Sequence, residues 1–162
     1  MMKIETIEKI LTFLYEKEGK GFPQNWNLIK NLETHPDGTQ YKYDGDLDLS
    51  GTNITKLPKD LFVDGNLYLN NCQYLTELPN ELYVEYSLNL KHCNQITELP
   101  NKLHVGGNLL IAETNIAKLP NELYVGINLF IYNTPLAKKY TDEEIRKMVD
   151  FIDFTIFGQI IS

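Results

Sequence analysis

The chain has 162 residues, 43% of them hydrophobic and 23% charged, which is enough for one domain with a buried core and too short to suggest two. A net charge of -7 disfavours attraction to phosphate backbones, so direct nucleic-acid binding is not expected, whereas a basic protein partner is compatible with it. Two cysteines make no disulfide framework, no apolar run reaches the length of a membrane span, and the start MMKIETIEKILTFLYEKEG carries no small-residue cleavage site; a cytoplasmic protein without a membrane segment is expected.

From Met2 to about Lys17, Ile4, Ile7, Leu11 and Leu14 recur at helical spacing, and Gly19 and Gly21 stop the pattern. The sequence predicts an amphipathic helix here, either covering an open end of the next segment or offering its face to a partner. A second short helix is predicted over Asn25 to Leu32, with Trp26, Ile29 and Leu32 facing one way, before the turn signal His35-Pro36-Asp37-Gly38. Residues 1–40 thus read as a helical cap.

Residues 41–136 are a repeat. Leu-Pro falls at Leu57-Pro58, Leu78-Pro79, Leu99-Pro100 and Leu119-Pro120. Apolar residues come after it at fixed offsets: Leu61, Val63, Leu67, Leu69, then Leu82, Val84, Leu88, Leu90, then Leu103, Val105, Leu109, Ile111, then Leu123, Val125, Leu129, Ile131. Each repeat holds two short alternating segments, A (such as Leu61 to Val63) and B (such as Leu67 to Leu69), joined by a polar corner that often reads Gly-Asn. Tyr41 to Gly45 aligns with Leu61 to Gly65, so the pattern starts before the first Leu-Pro. Alternation at fixed offsets implies that equivalent segments stack as parallel strands with the leucines inward. One such unit cannot bury enough surface to be stable alone, and stacking is what completes its core. Three residues beyond each B segment stand Thr52, Cys72, Cys93, Thr114 and Thr134, a column of small hydroxyl or thiol residues at one corner of five coils.

After Pro135 the pattern changes. Thr141 to Glu144 is a capping box opening a helix with Ile145, Met148, Val149 and Ile152 on one face. Ile156-Phe157-Gly158-Gln159-Ile160 then repeats the cadence of Val105 to Leu109, and is read as a last partial coil closing the stack. Residues 137–162 form this C-terminal helix and coil, and all three segments belong to one domain.

These residues resemble short bacterial leucine-rich repeats, and more closely the Leu-Pro-x-x-Leu-x-Val-x-Gly-x-Leu-x-Leu repeats of phage and prophage proteins. The resemblance covers about residues 41 to 136. It implies a leucine-rich-repeat-like solenoid, mainly β with short parallel strands, capped by N- and C-terminal α-helices. The chain departs from the usual pattern by lacking a regular Asn ladder and by carrying an extra Leu-x-Val segment per repeat, which favours two sheets over a single-sheet horseshoe. In such a repeat the Thr or Cys turn column is structural, which makes Cys72 and Cys93 free thiols, although their stacking places them within disulfide range.

The outward A positions form the column Phe62, Tyr83, His104, Tyr124, which Lys42 breaks at its start; stacked aromatics serve either an interface or the sheet itself. The outward B positions drift from polar to apolar, ending in Leu110, Phe130 and Tyr132, a contact patch or a surface that the C-terminal helix covers. His35, His92 and His104 are dispersed, the Glu and Lys residues of the Leu-Pro arc mix in sign, and no nucleophile has a partner base. The expectation is a non-enzymatic scaffold binding a protein partner, with no cofactor or metal and with homo-oligomers allowed. The phage resemblance adds an alternative, an inhibitor of a host defence or regulatory protein, presenting Asp44, Asp46, Asp48, Asp60 and Asp64 in place of nucleic acid.

Overall fold

The computed structural model describes residues 32–34, 41–57 and 61–148. The expected N-terminal helix, the turn signal at His35 and the expected partial coil after Phe154 lie outside the described residues. One residue of the expected second helix is described, and it is not helical: Leu32–Thr34 is a strand, β1, paired antiparallel to β2 (Tyr41–Asp44), with Leu32 opposite Tyr43. Helical spacing could not foresee this, because the partner strand lies beyond Pro36-Asp37-Gly38 in the sequence.

The rest is a β-solenoid. The A segments give β2, β4 (Leu61–Asp64), β6 (Tyr83–Val84), β8 (His104–Val105) and β10 (Tyr124–Val125), which follow β1 in one sheet in that order. The B segments give β3 (Leu47–Asp48), β5 (Leu67–Tyr68), β7 (Leu88–Asn89), β9 (Leu109–Leu110) and β11 (Leu129–Phe130), all parallel, in a second sheet. Leu47, Leu67, Leu88, Leu109 and Leu129 are successive register partners. Two sheets, not one, arise from the extra Leu-x-Val segment, because each coil then has two inward-facing runs separated by a corner.

Backbone hydrogen bonds tie the coils in both directions. In the B sheet the amides of Leu47, Leu67, Leu88 and Leu109 donate forward to the carbonyls of Asn66, Ser87, Asn108 and Asn128, at 2.8 to 2.9 Å. In the A sheet the amides of Glu85, Gly106 and Gly126 donate back to Val63, Val84 and Val105. Between the sheets the inward leucines, valines and isoleucines make one continuous cluster running from Tyr43 to Ile145. Coils pack so tightly that a Cβ on Gly106 would meet the Glu85 carbonyl, and one on Gly126 the Gly106 carbonyl; here glycine is required by space, not by an unusual φ.

At the C-terminal end Thr134 ends its turn column and begins a helix. Its Oγ1 accepts from the Ala137 amide at 3.1 Å, with Pro135 in the first helical turn of α1 (Pro135–Lys139). Leu136 still fills the inward position of the arc, fully buried, while its amide donates to the Ile116 carbonyl. The capping box is realised at α2 (Asp142–Met148): the Thr141 amide donates to Glu144 Oε2 at 2.8 Å and the Glu144 amide to Thr141 Oγ1 at 3.3 Å. Those bonds, the one from the Thr141 amide foremost, hold the Glu144 carboxyl below its ordinary range. No helix among the described residues is long and apolar enough to cross a membrane.

Replacing Leu88 with Ala, in the middle coil, should lower the unfolding free energy by roughly 2 to 5 kcal/mol. Gly106→Val should be at least as damaging, since backbone cannot yield as a side chain can. Urea denaturation of both variants checks this, and a Gly106→Val protein of wild-type stability would contradict the inter-coil packing.

Candidate interaction surface

The A-face aromatics form a single stack. Ring centroids are 4.6 Å apart for Phe62 and Tyr83, 4.1 Å for Tyr83 and His104, and 4.2 Å for His104 and Tyr124, with interplanar angles of 10°, 5° and 6°. Strands one coil apart set a spacing near 4.8 Å, and rings from successive coils need only lean to meet. Each such pair adds about 0.5 to 1.5 kcal/mol beyond the area it buries. The rings spend their faces on one another and present their edges outward. At Tyr83 that edge is engaged as well, the hydroxyl donating to Glu85 Oε2 at 3.2 Å. Burial, foremost, and the Glu85 bond raise the Tyr83 phenol above its ordinary value, while burial lowers the imidazole of His104, with the Glu85 carboxylate opposing.

On the B face, Asn89, Leu110 and Phe130 are register partners, and Leu110, Phe130 and Tyr132 are half-buried. What lies over the Tyr132 ring is the Lys91 ammonium, 5.5 Å from the centroid, which spans the small buried Ala112 of the intervening coil. The same ammonium sits 3.2 Å from Glu113 Oε1, and Glu113 also approaches His92 Nδ1 at 3.1 Å. Tyr132 first and then Glu113 hold Lys91 above its ordinary value. The B patch is thus apolar at Leu110 and Phe130 and bridged by charge at its Lys91 margin.

Two structural features were not legible as sites. The first is a ladder at the A-to-B corner. The Asn66 amide donates to Asp46 Oδ1 (2.7 Å), the Ser87 amide to Asn66 Oδ1 (3.0 Å), the Asn108 amide to Ser87 Oγ (3.1 Å), and Asn128 Nδ2 donates to Asn108 Oδ1 (2.8 Å). In place of a regular Asn ladder the corner carries a mixed one: Asp, Asn and Ser share one role, that of presenting a side-chain oxygen to the next coil. The second is the neighbouring corner column Gly65, Tyr86, Gly107, Ile127, linked by backbone bonds from Tyr86 to Gly65, Gly107 to Tyr86 and Ile127 to Gly107. Tyr86 is 59% exposed and Ile127 52%, on either side of Gly107, which is buried and packed against Ser87 and the Tyr86 backbone. Bulky apolar residues where other repeats carry Gly45, Gly65 and Gly107 were the available signal.

The turn column behaves as the sequence implies, with a division of labour. Thr52, Thr114 and Thr134 donate to carbonyls of their own coil (Leu49, Ile111, Ile131) at 2.6 to 2.7 Å, whereas Cys72 and Cys93 donate to Leu49 and Leu69 of the preceding coil at 3.1 and 2.9 Å. Both cysteines are free and buried. The neighbouring Cys93 thiol, foremost, brings Cys72 down to about 7 against its burial, and the Cys72 thiol together with burial pushes Cys93 up. The Leu-Pro arc carries the inter-coil ion pairs Lys56–Glu77 (2.7 Å), Lys102–Glu81 (3.3 Å) and Lys118–Glu98 (3.7 Å), all exposed, as expected for a solvated face. A cleft of about 290 Å³ opens there between Asn80, Asn101 and Asn121, beside Glu98 and Lys118. Among the described residues no cluster of His, Cys, Asp or Glu is arranged to hold a metal. The acids at the N-terminal coils divide among faces: Asp44 and Asp64 pair outward on the A sheet, Asp46 is in the corner ladder, and Asp48 on the B sheet accepts from the Ser50 amide.

No protein-family model, curated protein or solved structure matches the chain.

Because the folded protein favours neutral His104, its contribution to stability is whole above the ordinary histidine value of 6.5 and is lost as the pH falls below it. Thermal unfolding of the wild type should therefore shift down between about pH 7 and pH 5. His104→Phe, which keeps the stack, should flatten that part of the curve, and an unchanged pH dependence would detach His104 from it.

Proposed function

We propose that this protein is a non-enzymatic scaffold that binds a protein partner through the C-terminal half of its A-to-B corner. The observation that carries the reading is the exposed pair Tyr86 and Ile127, two large apolar side chains standing in a column otherwise given to glycine. The neighbouring outward positions are the half-buried His104 and Tyr124 on one sheet and Leu110 and Phe130 on the other, with the polar corner ladder of Ser87, Asn108 and Asn128 between the corner column and the B sheet. Tyr86 stands exposed as an anchor would, and tyrosine is enriched among such anchors. Phe62, Tyr83, His104 and Tyr124 then act as a stiff backing, since ring faces committed to a stack lose little entropy on binding.

Acidic mimicry of nucleic acid has less support, because Asp44, Asp46, Asp48 and Asp64 do not share one face. An inhibitor of a host protein working through the apolar corner is compatible with the scaffold reading and would differ only in the partner's identity.

The test is affinity purification from the native host with wild-type and Tyr86→Ser/Ile127→Ser proteins, both shown by circular dichroism to be folded. A specific partner should be depleted by more than about tenfold in the double variant. Equal recovery would remove the corner from the account, and Tyr83→Ser/Tyr124→Ser would then show whether the A column serves instead.

A further inference from the structure

The arc that returns from each B strand to the next A strand forms the third side of the coil and carries a cleft of its own. Asn80, Asn101 and Asn121 follow the prolines of successive Leu-Pro steps, and together they line that cleft of about 290 Å³. Each is exposed, and the residue after it, Glu81, Lys102 or Glu122, takes the same left-handed turn, with φ of 58°, 57° and 56°. The backbone therefore delivers the carboxamides alike, one coil apart, at a spacing of about 4.8 Å. A bond from the Lys102 amide to the Asn121 carbonyl and the ion pair of Lys102 with Glu81 tie these coils together beside the cleft.

The bonding capacity of these side chains is unused. Carboxamides on the neighbouring turn are committed to adjacent coils: Gln73 donates to the His92 carbonyl, Asn94 to Gln73 Oε1, and Asn115 to the Asn94 carbonyl. The side chains of Asn80, Asn101 and Asn121 bond to nothing among the described residues. Each offers an acceptor oxygen and an NH2 donor group to whatever enters. The remaining lining is apolar or neutral in sum. Leu99 is buried, Pro100, Leu119 and Pro120 are half-buried, and the Glu98 carboxylate is balanced by the Lys118 ammonium at 3.7 Å.

These properties define a ligand chemistry. Paired donor and acceptor groups match vicinal hydroxyls, each of which also donates and accepts. Without net positive charge the cleft gives no advantage to a phosphate or a polyanion. Leucine and proline carbons suit the C–H face of a sugar ring. The volume lies near the small end of ligand pockets, about 300 to 1,000 Å³, so it suits a short stretch of chain and not a folded domain. Spacing adds the linkage. An extended β-linked pyranose chain advances by close to one strand spacing per sugar, whereas an extended peptide advances about 3.4 Å per residue and falls out of step.

We propose that the arc cleft binds a neutral, β-linked glycan lying along the solenoid axis, with successive sugars hydrogen-bonded to Asn80, Asn101 and Asn121. The site shares no residue with the Tyr86 and Ile127 corner, so either can fail without the other.

The experiment titrates the isotope-labelled full chain with cellulose and chitin oligosaccharides, followed by NMR. Maltohexaose is the α-linked comparison, and a Gly-Ser peptide of similar length is the non-sugar one. At least one β-linked series should shift the side-chain NH2 resonances of Asn80, Asn101 and Asn121 saturably. Its affinity should rise about fivefold or more from disaccharide to tetrasaccharide, as a further coil is engaged. Asn101→Ala should weaken binding by at least about fivefold while keeping the wild-type melting temperature. Asn94→Ala, which removes a carboxamide already committed, should leave the affinity unchanged. Absence of shifts with both β-linked series, equal binding of maltohexaose or the peptide, or wild-type affinity in Asn101→Ala would overturn the assignment.

Discussion

The structure depends on register: residues 20 or 21 positions apart must stand directly over one another. Every stabilising device repeats along that axis. Forward amides of the B sheet, backward amides of the A sheet, the leucine file, the aromatic stack and the corner oxygens each join a coil to its neighbour. None of them would hold a coil by itself. A slip of one residue would turn Leu67, Leu88 and Leu109 outward and bring Tyr68 and Asn89 into the core, so the ladders and the apolar pattern enforce the same alignment. The extra residue in the turn between Cys72 and Leu75, and again between Cys93 and Ile96, is absorbed there without disturbing the strands, since Leu67–Leu88 and Leu88–Leu109 still pair.

Register also sets the surface, because whatever the outward positions carry becomes a column. The A column became a ring stack at the spacing of the strands, with a histidine inside it. The arc became alternating charges, and the corner became a hydrogen-bonded ladder beside a mostly glycine column. What distinguishes one stretch of such a surface from the next is its departures from repetition. Tyr86 and Ile127 are departures of that kind, and so is Ala112, whose small side chain lets Lys91 reach across to Tyr132.

Much of the fold was legible because its rule is arithmetic. Offsets from each Leu-Pro fix the inward residues, and the additional Leu-x-Val segment foretold the second sheet. The capping box at Thr141 was equally readable, being a local pair of side chain and backbone. Other features resisted for physical reasons. The corner ladder is written with Asp, Asn and Ser, so no single letter recurs in every coil; what recurs is an oxygen at the end of a short side chain. Strand β1 depends on antiparallel pairing with residues beyond Gly38, which spacing within Asn25 to Leu32 does not encode. The corner surface was overlooked because inward and outward alternation is defined within strands, and Tyr86 and Ile127 stand between them. Their replacement of glycine was visible, but its meaning needed the neighbouring coils.

Which amide meets which carbonyl from one coil to the next decides the register, and scalar couplings across hydrogen bonds read that connection directly by NMR. Couplings are predicted from the amides of Leu47, Leu67, Leu88 and Leu109 to the carbonyls of Asn66, Ser87, Asn108 and Asn128 in turn. Couplings displaced by one residue, or absent from Leu67 and Leu88 in the folded protein, would contradict the stacked register.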